Sequence, residues 1–164
     1  MGLATFIGGI HPFEGKELSE DKPIKYLEPL QGEVMVYPLS QHIGAPAKPL
    51  VAKGDHVLKG QIIAEAGGFI SANVLSSVSG TVKGIESKLV ANGAMVQSIL
   101  VENDGEEEAI EGFGTDRDAS KLSKEEIRQI VKDAGIVGLG GAGFPTHVKL
   151  TPKDENAIDY VIVN

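Results

Sequence analysis

The apolar positions of the chain change rhythm twice. Residues 1–33 hold no sustained period, because Gly8-Gly9, Pro12, Pro23 and Pro29 interrupt every run, and such residues punctuate elements rather than continue them. They predict an extended arm. His11 precedes Pro12 and is biased toward extended backbone. It reads as a buried or interface histidine before a metal or catalytic one, since no second ligand lies near it. From Glu33 to Val101 short apolar runs alternate with turn signals. Val34–Tyr37 comes first, then Leu50–Ala64 broken at Gly54-Asp55 and Gly60-Gln61. Val74–Val78, a Ser79-Gly80 turn, Thr81–Ile85, a Gly93-Ala94 turn and Val96–Glu102 complete the set. Short strands closed by glycine turns predict an all-β barrel or sandwich.

After residue 116 the period becomes helical. Ser123 and Glu126 form a capping box, and Ile127, Ile130, Val131 and Ala134 make one apolar face. Gly135 is the expected stop, so a helix is predicted over about 124–134. A glycine-rich turn, a short helix, Thr151-Pro152 and a buried strand over Ala157–Val163 follow. Between the two halves, Asp104-Gly105-Glu106-Glu107-Glu108 and Gly112-Phe113-Gly114 read as a solvated linker. The acidic run lacks the alternating oxygen ligands of a calcium loop. The expected division is an arm at 1–33, a β domain at 34–103, a linker at 104–118 and the start of an α/β domain at 119–164. One strand cannot make a sheet and would leave an apolar edge. The chain is therefore expected to be the N-terminal part of a longer protein.

Composition narrows the function. With 15 basic against 23 acidic residues the net charge is −8, which argues against a nucleic-acid partner and an anionic lipid surface. Cysteine is absent, so no disulfide, thiolate zinc site or iron–sulfur ligand lies on these residues. No run approaches the ~20 apolar residues of a membrane span, and no secretory signal is visible. With no Trp and few aromatics, the core must rest on Val, Ile, Leu and Ala.

The stretch with candidate chemistry is Gly138-Leu139-Gly140-Gly141-Ala142-Gly143-Phe144-Pro145-Thr146-His147-Val148-Lys149. Glycine lets backbone amides approach a ligand and accepts positive φ. Pro145 suits the first turn of a helix, whose amides and dipole would face the glycines and favour a phosphate. Lys149 lies about one turn further on and could add a charge. The competing reading is a linker or a close backbone crossing. The run is neither a P-loop, which needs Gly-Lys-Ser/Thr, nor a Rossmann fingerprint, which should follow a strand.

The GxGGxGFPTxxK run resembles the flavin-binding loop of the FMN- and NADH-binding component of respiratory complex I. It is closer still to the RnfC family, the C component of the Rnf electron transport complex, whose opening also resembles Gly8-Gly9-Ile10-His11-Pro12. The resemblance implies that Gly138, Gly140, Gly141 and Gly143 lie against FMN phosphate and NADH, that Phe144 stands at the nicotinamide pocket, that Lys149 is near the flavin phosphate, and that Asn164 contacts FMN. Leu139 and Leu150 stand where that family often has Arg and an aromatic, which removes one cation from the pocket. Without the resemblance Phe144 reads as a core aromatic and Lys149 as a solvated amine.

The β region resembles the biotinyl/lipoyl-like barrel-sandwich hybrids. Val51-x-Lys53-Gly54-Asp55-x-Val57-x-x-Gly60-Gln61-x-Ile63-Ala64 matches the first half, and Ser76-x-x-Ser79-Gly80-Thr81-Val82 the return. Carriers of that family bear a modifiable lysine on the hairpin between. No lysine lies between Lys59 and Lys83, so the domain reads as a rigid scaffold. The fold class is thus mainly β, a barrel-sandwich hybrid followed by an incomplete α/β flavin-binding domain.

For the full-length protein the resemblance implies NADH oxidation through FMN, with electrons passed to 4Fe-4S clusters on residues outside this chain. Partners would be the other components of a membrane complex, with peripheral attachment at the cytoplasmic face of the cell membrane. The 164-residue chain alone is expected to be inactive. Two alternatives stay open: a non-catalytic barrel that docks onto a complex through the arm, and a relative of the A component of the sodium-translocating quinone reductase.

Overall fold

The computed structural model describes residue 13 and residues 15–139, 141–160 and 162. Two antiparallel sheets curl around one apolar interior. Strands β1 (Val34–Pro38), β7 (Met95–Asn103), β6 (Gly80–Leu89) and β3 (His56–Val57) make the first sheet in that order. Strands β2 (Lys48–Pro49), β4 (Ile62–Glu65) and β5 (Val74–Leu75) make the second. This is the mainly β barrel-sandwich expected from the spacing of the glycine turns.

The core draws on every long strand. On β7 the run Ser98–Val101 is buried throughout, with Ile99 and Val101 in the apolar cluster, and Val82 on β6, Val57 on β3 and Ile63 on β4 are fully buried beside them. Each such side chain contributes about 1.5–3 kcal/mol of transfer free energy. Tyr37 closes one end: its hydroxyl accepts the Ser77 amide at 3.0 Å and lies 2.8 Å from the Ser77 hydroxyl. A buried phenol with both partners adds apolar area at no cost in unpaired polarity.

The Ser79-Gly80 turn is a correction. Gly80 opens β6 and pairs with both Asn103 and Val57. A Cβ there would collide with the Glu102 carbonyl, so the glycine permits a close strand approach rather than a reversal. The hairpin of β6 and β7 runs beyond the barrel to a turn at 90–94, with the pair Leu89 and Met95 exposed near its tip.

Helix α1 (Lys124–Asp133) starts on both halves of its capping box: the Ser123 hydroxyl accepts the Glu126 amide, and the Glu126 carboxylate accepts the Ser123 amide at 2.8 Å. It ends where Gly135 takes φ +63°. A Cβ at 135 would strike the Asn73 carbonyl, which fixes α1 against the segment just before β5. Lys124 and Arg128 of α1 converge on Glu155. Residues 108–113 are tied to the barrel as well, with the Lys59 amide donating to Glu108 at 2.8 Å and the Ile110 amide to Lys59 at 3.1 Å.

The strand expected over Ala157–Val163 is absent at the described residues 157–160 and 162, while Val161 and Val163 lie outside the described residues. Ala157 ends a 3-10 turn (Glu155–Ala157), and the described residues beyond it form no strand. Tyr160 and Ile162 are 87% and 89% exposed. A strand exists only through hydrogen bonds to a neighbour, and no described strand lies beside this segment.

Candidate functional site

The glycine run forms a closed loop. Val137 pairs with Pro145 in an antiparallel bridge, the Gly138 amide donates to Phe144 at 2.9 Å, and the Thr146 amide donates to Ile136 at 2.9 Å. Pro145 is fully buried beneath it. Helix α2 (Thr146–Lys149) leaves the loop as a single turn, with Pro145 as its N-cap at ψ 124°. Pro145 was expected inside that first turn. Its pairing with Val137 holds it extended, so it stands one position earlier.

Gly138, Gly141, Gly143, Phe144 and Lys149 are thereby brought into one hairpin loop, while Gly140 and Asn164 lie outside the described residues. The amides of Leu139, Gly141, Ala142, Gly143 and Phe144 donate to no acceptor among the described residues. Unpaired donors of this kind suit an anion. Gly141 takes φ +54° with open space where a Cβ would stand. A Cβ on Gly138 would lie 2.8 Å from the Lys149 Nζ, so the missing side chain leaves room for the ammonium beside the loop. Lys149 is exposed and forms no ion pair among the described residues. Phe144 is half-buried.

The barrel supports the loop from the other side. The Ile43 amide donates to the Ala142 carbonyl at 2.8 Å. Behind it, His42 Nδ1 lies 3.1 Å from the Ile43 carbonyl, and His42 Nε2 accepts the Ala72 amide at 3.0 Å. That acceptor role assigns the ring proton to Nδ1. Ala72 belongs to the hairpin between β4 and β5. Here the hairpin is folded down: the Ser71 hydroxyl donates to Ala45 at 2.8 Å and accepts the Gly67 amide at 2.9 Å. This region serves as a brace under the glycine loop.

Between loop and barrel opens a cleft of about 670 Å³. Its far walls are the 40–43 segment and the hairpin tip at Val90, Ala91 and Asn92. No carboxylate lines it, in a chain of net charge −8. A second hollow of about 620 Å³, lined by Ile62, Leu75, Phe113 and Ile130 among others, is mostly apolar and separate from the loop.

Residues 4–106 match the RnfC barrel sandwich hybrid domain family. The chain belongs to this family. Residues 131–164, which include the whole glycine loop, match the Nuo51 FMN-binding domain. Over 162 residues the chain is 44% identical to the C component of a proton-translocating ferredoxin:NAD(+) oxidoreductase complex of Clostridium ljungdahlii, covering 99% of this chain and 35% of the relative. It is 42% identical over 163 residues to the Na(+)-translocating counterpart of Acetobacterium woodii, covering 98% and 36%. The C component of an ion-translocating oxidoreductase complex of Haemophilus influenzae is 37% identical over 164 residues, covering 99% and 25%. The chain thus spans about a third of the length of the first two of these RnfC relatives. Among its described residues no helix is long and apolar enough to cross a membrane.

Sequence reasoning missed His42, the 40–43 segment and the 90–92 tip. They meet the loop only through the fold, about a hundred residues away along the chain in the first case, and no local pattern marks them. It also missed His147 on α2. The His147 Nδ1 is buried without a partner among the described residues, and burial, then the Lys132 charge, holds its pKa below the ordinary 6.5.

Proposed function

We propose that the loop at 138–144 and Lys149 hold the phosphate of FMN, in a protein that takes electrons from or delivers them to a nicotinamide nucleotide. The observation that carries this is the coincidence of unpaired loop amides with an ammonium beside Gly138 that has no ion-pair partner among the described residues. Unpaired amides with a cation beside the same loop suit a phosphate. Bound there, FMN would supply the hydride- and electron-accepting ring. The protein's own part is to bind, orient and shield: Gly141 and Gly143 present amides, Gly138 leaves room for the Lys149 ammonium that balances charge, Gly140 is assigned to the phosphate by resemblance, and Phe144 flanks the nicotinamide. Asn164 is assigned to the flavin by resemblance alone.

The RnfC relatives act in complexes by name, ferredoxin:NAD(+) oxidoreductases in two cases. By that likeness the full-length protein works with NADH and with the other components of a membrane-associated complex, peripherally at the cytoplasmic face. Its 4Fe-4S clusters would sit on residues beyond these, since this chain has no cysteine. The domain division at 1–33, 34–103, 104–118 and 119–164 is carried forward on the same basis.

A second reading, a barrel that only docks, is favoured by one contact: Gly143 lies against the Gln41 backbone, so a purely structural reason for that glycine exists. Gly141→Trp in the full-length protein separates the two. Loss of NADH oxidation with retained assembly supports the flavin reading, and unchanged oxidation refutes it. The 164-residue chain alone is expected to bind FMN weakly or not at all, and a yellow purified chain would contradict that.

A further inference from the structure

We infer that the barrel is the second wall of the flavin cleft, and that Ile43 and Ala91 face the bound nucleotide. This rests on the flavin reading and adds a role for the N-terminal domain beyond support. The volume of about 670 Å³ falls within the ~300–1,000 Å³ range of small-molecule sites. One side of the cleft offers loop amides without partners among the described residues. The barrel side offers Pro38, Ile43, Val90 and Ala91 together with the polar Ser40, Gln41, His42 and Asn92. Apolar groups with a few polar ones beside a run of donors suit an aromatic ring that carries an anionic tail.

Three features make this wall more than a chance crevice. Ile43 is 53% exposed although its amide is fixed to Ala142, so its side chain is held beside the loop without being spent on packing. The β6–β7 hairpin extends beyond the barrel, and its tip at 90–92 borders the same cleft. No aspartate or glutamate lines the space despite the acidic composition, so an anion meets no local repulsion.

The test uses the full-length protein and FMN as the probe, with affinity read by quenching of flavin fluorescence. Three variants are compared: Ala91→Trp, Ile43→Asp and Ile43→Lys. Ala91 is exposed at the hairpin tip, so a Trp there fills cleft rather than core, and thermal melts check that all three stay folded. Ala91→Trp is expected to weaken FMN binding about tenfold or more. Ile43→Asp is expected to weaken it by a similar factor, whereas Ile43→Lys leaves it unchanged or tightens it. A wild type that binds no FMN overturns the flavin reading itself. In a wild type that does bind, unchanged affinity in Ala91→Trp, or equal effects of Asp and Lys at 43, overturns the barrel-wall inference alone. A general disturbance of the fold would not distinguish the sign of the charge.

Discussion

Gly143 and Gln41 meet backbone to backbone: a Cβ on Gly143 would stand 2.7 Å from the Gln41 carbonyl oxygen. Gly141 and Gly143 therefore answer to different demands. Gly143, at φ +58°, is required by packing on the barrel. Gly141, at φ +54°, has nothing within 4 Å of a Cβ, so its only structural demand is the backbone angle.

Alanine at these positions should separate stability from binding. Gly143→Ala adds a clash to an unfavourable angle and should destabilise the loop's seat by about 2–4 kcal/mol, read as faster amide exchange at Ile43, whose bond to Ala142 would loosen. Gly141→Ala should cost only about 1–2 kcal/mol while reducing FMN affinity in the full-length protein. Equal effects of both on folding would contradict the distinction.

Lys149 should act by charge. Lys149→Ala is predicted to weaken FMN binding about tenfold or more with little change in melting temperature, because the side chain is exposed. Lys149→Arg should recover part of the loss. Riboflavin, which has no phosphate, should bind wild type and Lys149→Ala alike, and titration with the two flavins checks this.

His42 is predicted to position the loop through its contacts with Ala72 and Ile43. Replacing it with Ala removes the acceptor of the buried Ala72 amide and the support of Ile43, at a cost of about 1–3 kcal/mol. His42→Gln can still accept from Ala72 and should recover part of that. Chemical denaturation of the three proteins is the measurement.

The acid response should be governed in part by Asp104. The Ser79 hydroxyl at 2.7 Å, then the Glu106 amide and His56, hold its pKa at about 2 against an ordinary 3.8. The folded pKa lies below the unfolded one, so this stabilisation is complete above pH ~4 and is lost as pH falls toward ~2. Ser79→Ala removes the largest cause and strips the Glu108 amide of its acceptor. The Asp104 pKa should rise, and stability at neutral pH should fall by about 1–3 kcal/mol. The part of that deficit owed to Asp104 should shrink below pH ~4. Carboxyl-detected NMR titration and denaturation at two pH values check both parts.

Much of the fold was legible in the chain because the signals are local. The Ser123–Glu126 box set the start of α1, Gly135 set its end, and the glycine turns located β3, β4 and the β6–β7 hairpin. The failures share one cause. The segment from Ala157 to Tyr160 opens a run that reads as strand by composition, but a strand needs a neighbour, and none stands beside the described residues there. Gly80 reads as a turn, and the proximity of Glu102 across the sheet makes it a strand residue instead. The loop itself was visible as glycines. Its supports at Gln41, His42 and Ile43 were not, because they reach it only through long-range folding.

The central claim is that the bare amides at 139 and 141–144 receive the phosphate of a flavin. Hydrogen–deuterium exchange of the full-length protein with and without FMN tests it most directly. Fast exchange is predicted at Leu139, Gly141 and Ala142 in the free protein, with clear slowing there when FMN is bound. Bound FMN with unchanged exchange across that loop would contradict it.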